Sequence, residues 1–146
     1  MPHVVILYTG NLEAQTAMSG LCRSIADAML AQRAEDGSPV FPPGGTRVYA
    51  YPAPHYAVSD GGEAGRAAGG DGDYAFIYIN LRMAGGRSAT VQKAAGDAIL
   101  AAAKAHLAPL FAQAQRHLGL TVQVDEAPGQ VYDAKYSTLH PLFSKK

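Results

Sequence analysis

Tyr74 to Leu81 alternates without a break, with Tyr74, Phe76, Tyr78 and Asn80 on one side and Ala75, Ile77, Ile79 and Leu81 on the other. This is the pattern of a strand with one aliphatic face turned to a core. Ala84-Gly85-Gly86-Arg87-Ser88 follows at once, and from there the apolar residues change period. Val91, Ala95, Ile99, Ala103, Leu107, Leu110, Ala114 and Leu118 fall on one helical stripe, with Ser88 as N-cap and Pro109 as a kink. A strand turning directly into a long one-sided helix predicts a sheet with helices laid on it.

The same plan is written once more upstream. His3-Val4-Val5-Ile6-Leu7-Tyr8 is a β-branched run closed by Thr9-Gly10-Asn11, and Ala14, Met18, Leu21, Cys22, Ile25 and Met29 then form a helical stripe ending near Asp36-Gly37. Ser38 to Gly45 is a Pro- and Gly-rich connector, after which Thr46 to Tyr51 resumes alternation. In the second half Leu120 to Val124 reads as the closing strand. The chain therefore predicts an α+β fold, a duplicated β-α-β with two helices on one face of a mixed four-stranded sheet. The first strand is apolar on both sides, yet two helices cover only one face, so a homo-oligomer is expected to bury the other. Gly61 to Gly72 has the composition of a mobile surface excursion, and the aromatic tail is expected to dock on the body.

Composition removes whole classes of function. With 146 residues, 48% of them hydrophobic and 16% charged, the chain is expected to fold as a single domain over 1–146, with a loop insertion at 61–72. Twelve basic and twelve acidic residues leave no net charge, so neither nucleic acid nor an anionic membrane is an expected partner. Cys22 alone supports neither an internal disulfide nor a thiolate metal site. Val4 to Tyr8 is far shorter than the roughly 18 apolar residues of a membrane span, and a cytoplasmic location is expected. No nucleophile elbow, phosphate loop or H-E-x-x-H helix is present; His106 and His117 lie too far apart on one helix to share a metal, and Gly69 to Asp73 matches a calcium nonapeptide only in part. No metal site is expected.

Three places carry chemistry. At Gly85-Gly86-Arg87-Ser88, glycines admit close backbone approach, a helix N-terminus favours an anion, and Arg87 can grip a carboxylate through two parallel hydrogen bonds. An ordinary turn with a solvated arginine is the competing reading. Arg47 opens a strand and can likewise project toward a cleft. Pro2 becomes a secondary amine if Met1 is removed, and an amine in a dry site flanked by cations is a neutral base at physiological pH.

Met1-Pro2-His3 leading into a strand that ends near Asn11, Asp73-Tyr74-Ala75-Phe76, Gly86-Arg87-Ser88 and His140-Pro141-Leu142-Phe143 together resemble the 5-carboxymethyl-2-hydroxymuconate isomerase family of the tautomerase superfamily. The resemblance spans nearly the whole chain, with an insertion around Glu63 to Gly70. It implies a trimer, catalysis without metal or organic cofactor, Pro2 as the proton-transferring base, and Arg47 and Arg87 as substrate-binding residues. Leu7 stands where that family suggests an acidic residue, and Tyr49 where a second basic residue is expected. Two alternatives remain beside ketonisation of 5-carboxymethyl-2-hydroxymuconate. One is a tautomerase for another enol acid, and the other a non-catalytic trimer that binds organic anions.

Overall fold

The computed structural model describes residues 2–144. Strand β1 (His3–Thr9) is followed by a 3-10 turn (Gly10–Leu12) and helix α1 (Met18–Leu30). Then come β2 (Arg47–Ala53), a short α2 (Glu63–Ala67), β3 (Ala75–Ala84), α3 (Ala89–Phe111) and β4 (Leu118–Ala127), with a last 3-10 turn at His140–Phe143. The sheet order is β2-β1-β3-β4, with β1 parallel to β2, antiparallel to β3, and β3 parallel to β4. Each parallel pair brackets one long helix, so the two β-α-β halves meet along β1 and β3.

Strand alternation decides which side is buried. Val4, Ile6 and Tyr8 of β1 and Ala75, Ile77, Ile79, Leu81 and Met83 of β3 face α1 and α3 and are buried. They meet Leu21, Ile25 and Met29 of α1 and Val91, Ala95, Ile99, Ala103 and Leu107 of α3. Phe41, from the Pro-rich connector, fills the same core at 1% exposure. Cys22 packs at its edge, and burial pushes its thiol above the ordinary value, the direction expected of a packing cysteine. On the other side of the sheet Leu7, Tyr49, Tyr51 and Phe76 lie exposed, the uncovered face that the two-sided apolar strand implied.

Several boundaries differ from expectation for local reasons. Helix α1 starts at Met18 and not at Ala14, because the 3-10 turn and a hydrogen bond from Tyr8 Oη to Glu13 Oε2 hold the preceding segment. Burial, together with that carboxylate, pushes the Tyr8 phenol up to about 12. Strand β2 runs on through Pro52, which an edge strand tolerates because one row of its N–H groups has no partner. Helix α3 ends at Phe111, two residues after Pro109 withdraws an N–H from the last turn. Ala114 therefore leaves the stripe and Leu118 opens β4, which runs to Ala127.

Two larger corrections concern segments between and after the strands. The 61–72 stretch forms α2 and is hydrogen-bonded to the body: Gly65 N donates to Tyr74 Oη at 2.7 Å and Asp71 N to Gln115 O at 2.8 Å. The tail is not docked on its own subunit as a whole, since Val131 and Tyr136 are fully exposed and Tyr132 nearly so. Only its end returns, with His140 and Phe143 against Gly44. The last two residues of the tail, and the processing of Met1, lie outside the described residues.

Candidate functional site

The starts of β1 and β2 and the ends of β3 and β4 share one end of the sheet. Across it the register sets Arg47 beside His3, His3 beside Arg82, and Arg82 beside Asp125. All four sit on the face opposite the helices, because their strand neighbours Val4, Val48, Leu81 and Val124 belong to the core. The next row on that face is Tyr49, Val5, Asn80 and Gln123, and the one after it Tyr51, Leu7, Tyr78 and Thr121. The open face therefore grades from charged at the Pro2 end to apolar and aromatic at the Thr9 end.

Pro2 immediately precedes β1 and is buried at this charged end. Beside it His3 is held below the ordinary histidine value of 6.5, first by burial and then by the positive charges of Arg47 and Arg82. A neutral imidazole between two guanidiniums marks a region of positive potential. Asp125, which accepts from Asn80 Nδ2 at 2.7 Å, sets one carboxylate beside Arg82 in the same row.

A cavity of about 330 Å³ opens here, lined by His3 and Arg82, by the end of β3 through Gly85, and by Glu126 to Gln130. Gly85 is required by close approach: a Cβ on it would lie 2.6 Å from Glu126 Oε1. Gln92 Nε2 donates to the other oxygen, Glu126 Oε2, at 2.7 Å and so anchors that carboxylate. Gly86 has φ +98°, a left-handed turn that lets β3 reverse into α3. Ser88 then caps α3 by accepting from Val91 N at 3.2 Å, as its position predicted, and donates to Glu35 Oε1 at 2.7 Å. That hydrogen bond holds the Glu35 carboxyl below its usual range.

Arg87 emerges from this junction and its guanidinium is already engaged. Nη1 donates to Ala84 O and Nη2 to Val40 O, each at 3.0 Å, and the group lies 5.5 Å from the centroid of the Phe41 ring. Two of the five N–H groups of a guanidinium thus hold the connector before β2 against the end of β3. Arg47 lines a separate cavity of about 540 Å³ between α1 and β2, together with Cys22, Arg23, Thr46 and Phe143. Pro2, Arg47 and Arg87 all stand at the same end of the sheet, Arg47 on the wall of this second cavity and Arg87 against the connector.

His3, Arg82 and Glu126 were not singled out from the sequence. Their signal is register: His3 and Arg82 meet only once β1 and β3 are paired, and Glu126 reaches Gly85 only through the parallel pairing of β3 and β4. Away from this end, the other candidates are structural. His106 Nε2 pairs with Thr16 Oγ1 at 3.1 Å, and His117 meets the Tyr74 ring edge-on at 6.3 Å. Asp73 is engaged by Asn11 at 3.0 Å and by Arg116 at 3.2 Å. Among the described residues no group of three or more His, Cys, Asp or Glu could hold a metal ion, and no helix is long and apolar enough to cross a membrane.

Two β-α-β halves sharing one mixed four-stranded sheet, with the long helices on one face, make a tautomerase-like fold, and the family it belongs to is one of isomerases. The chain belongs to the 5-carboxymethyl-2-hydroxymuconate isomerase family, whose model matches residues 2–143. It is similar to a solved 5-carboxymethyl-2-hydroxymuconate delta-isomerase at 55% identity, covering 100% of this chain and 95% of that one with a TM-score of 0.89. A 5-carboxymethyl-2-hydroxymuconate isomerase from Deinococcus radiodurans R1 is similar at 32% identity, with 99% and 95% covered and a TM-score of 0.77. The 5-carboxymethyl-2-hydroxymuconate Delta-isomerase of Escherichia coli is 24% identical over 98% of this chain and 99% of its own length.

Proposed function

We propose that the protein ketonises 5-carboxymethyl-2-hydroxymuconate, or a closely related 2-hydroxy dienoic acid, as a homotrimer without a metal or organic cofactor. Pro2 is the base. Once Met1 is removed its nitrogen is a secondary amine, and the positive charges at this end of the sheet favour its neutral form. The nitrogen accepts the 2-hydroxyl proton as the O–H bond breaks. The electron pair moves through the diene, the carbonyl forms, and the same proton is returned to the distal carbon. No net proton or electron is gained, so the chain needs no redox partner.

The arginines supply charge complementarity. Arg47 and the unengaged N–H groups of Arg87 attract the substrate carboxylates, and their fixed charge stabilises the dienolate-like transition state more than the enol. Arg87 does this while anchoring the loop that carries Val40 and Phe41, so its charge is held in place before substrate arrives.

The observation that carries this reading is the burial of Pro2 beside the Arg47–His3–Arg82 row. Ultraviolet-monitored ketonisation by purified protein of verified intact mass tests it. Turnover by the Met1-free protein, lost when Met1 is retained, is the expected outcome. No acceleration over buffer by Met1-free protein would overturn the substrate assignment.

A further inference from the structure

We propose that the tail segment 131–136 docks as an added strand on the β4 edge of a second copy of the chain, with Tyr132 and Tyr136 seated in the groove between β4 and α3. The inference rests on the self-association included in the proposed function, and not on the reaction.

The segment has the form of a strand and no strand beside it. Residues 132–137 contain no helix, turn or bend, and among the described residues no backbone group from 128 to 138 is hydrogen-bonded to backbone elsewhere in the chain. Lys135 pairs with Asp133 two residues away, so these side chains share one face of an extended stretch, and Tyr132, Ala134 and Tyr136 take the other. Both tyrosines are almost entirely exposed. Rings on one side and an ion pair on the other make the pattern of a half-buried strand. Its own subunit does not bury it. Pro128 to Gln130 line the cavity at the Pro2 end, while His140 and Phe143 meet Gly44 just before β2. The tail is thus carried from the β4 edge of the sheet to the β2 edge, away from its own α3–β4 groove.

The β4 edge has the complementary form. It is the last strand of the sheet, so one row of N–H and C=O groups along its ten residues has no strand partner. Alongside it, cavities of about 370 and 530 Å³ meet at Leu100 and follow the α3–β4 seam, with Val122, Val124 and Leu120 of the strand and Phe111 of the helix in their walls. Residues four apart in a strand are separated by roughly 13 Å, which sets one tyrosine on each side of Leu100. Lys93, Asp97 and Lys104 also line these cavities, surroundings that suit a ring with a polar tip. On the opposite face β4 presents Thr121, Gln123 and Asp125, polar neighbours for Asp133 and Lys135. Main-chain bonds to the edge and alternate side chains in pockets are the two components of strand addition. The β2 edge fits less well, since Pro52 withdraws an N–H from that strand and Phe143 already lines the cavity beside it.

Each chain offers one arm and one such edge, and the two surfaces differ. A contact of this kind is heterologous, and it satisfies every arm and every edge only when the copies close into a ring. The proposed trimer is such a ring, with the tail of each subunit lying on the next.

The chain has no tryptophan, so Tyr132→Trp puts a single indole reporter on the arm of the full-length protein. In the assembled particle it should emit as a buried indole and resist quenching by acrylamide. Adding Leu100→Lys, or Ala108→Lys at an exposed position of the same groove, should shift the emission to that of a solvated indole and restore quenching, with circular dichroism unchanged. In the otherwise wild-type chain, Tyr132→Ser together with Tyr136→Ser should raise the dissociation constant between subunits at least about 10-fold in sedimentation, because two rings leave the contact. Both tyrosines are exposed in the single subunit, so neither supports its fold. A solvated indole in a particle of three subunits overturns the proposal and leaves the trimer standing. A shielded indole that ignores both groove substitutions places the arm elsewhere and overturns it too, and a wild type of single-subunit mass overturns the contact and the trimer together. Docking by a protein that shows no ketonisation overturns the reaction and leaves the contact standing.

Discussion

The guanidinium of Arg87 lies 5.5 Å from the centroid of the Phe41 ring while donating to the carbonyl of Val40 next to it. An arginine read from the sequence as a carboxylate grip is thus also the fastener between the Pro-rich connector and the β3–α3 junction. Arg87→Ala removes two charge-assisted hydrogen bonds and a cation–π contact, about 2–4 kcal/mol together. Both stability and catalysis should suffer: a lower Tm in calorimetry, a raised KM and a depressed kcat in the ketonisation assay. A variant with unchanged Tm and altered KM alone would assign Arg87 to substrate binding only.

For Pro2, the expected outcome depends on the nature of the amine. Pro2→Ala leaves a primary amine at the same backbone position once Met1 is removed, with different basicity and no ring to fix its direction. Activity should persist at about one-tenth to one-hundredth of wild type, less than the full contribution of a general base. Comparing pH profiles of kcat/KM for both proteins checks this, since moving the base to a new amine must displace the limb it governs. Equal rates and superimposable profiles would remove Pro2 from the reaction.

Much of this organisation was legible before the fold. The alternation of β3, the α3 stripe and its Ser88 cap are local signals, and each appears where spacing placed it. Pro2, Arg47 and Arg87 come to one end because strand directions in two β-α-β units leave no other choice. What was not legible depends on distant parts of the chain. Ala114 and Leu118 satisfy the helical spacing, but Pro109 weakens the last turn and Leu118 finds a register partner in Ala75. The aromatic tail has the composition of a docked segment, yet the single subunit offers Tyr132 and Tyr136 no surface. Arg82 and Glu126 became candidates only through strand register, which no local pattern fixes.

Arg116 gives a further stability test remote from the site. Its side chain is 4% exposed and reaches both Gln15 and Asp73, while its Nε and the nearby Asn11 Oδ1 are buried without partners. Asp73→Asn strips the buried cation of its counter-charge. Because Asp73 is itself 54% exposed, the loss should be about 2 kcal/mol, below that of a fully buried pair, or about 4–8 °C in Tm. Arg116→Met removes the charge that needs compensation and should cost less than Asp73→Asn. The reverse ranking in thermal unfolding would show that the ion pair itself, and not the avoidance of an unpaired buried charge, holds this corner.

His3 provides a pH test with a definite sign. Its folded value is lowered from 6.5, so just below that pH the unfolded chain binds the proton more readily than the folded one. Stability contributed by neutral His3 is complete above about pH 6.5 and is lost as pH falls toward the folded value. The His3→Gln variant should show a flatter dependence of unfolding free energy in that window. In an NMR titration of the ring, Arg47→Gln should raise the His3 pKa more than Arg82→Gln does, following the order of their influence. A wild-type ring titrating at or above 6.5 would contradict the cationic character assigned to this end of the sheet.

The aromatic end of the open face tests the proposed trimer. Leu7 is 47% exposed and Tyr51 52%, and they are register neighbours, with Tyr78 on the other side of Leu7. A second copy that covers this row gains about 1.5–3 kcal/mol for each large side chain fully buried, which a polar replacement forfeits. Introducing charge there leaves the helix-facing core untouched, because Ile6, Tyr8 and Ile79 point the other way. Leu7→Arg and Tyr51→Glu should therefore convert a particle of three-subunit mass into folded single subunits by light scattering, with the circular dichroism of the fold retained. Trimers that survive both substitutions would place the contact between subunits elsewhere, and a wild type already at single-subunit mass would remove the trimer from the proposed function.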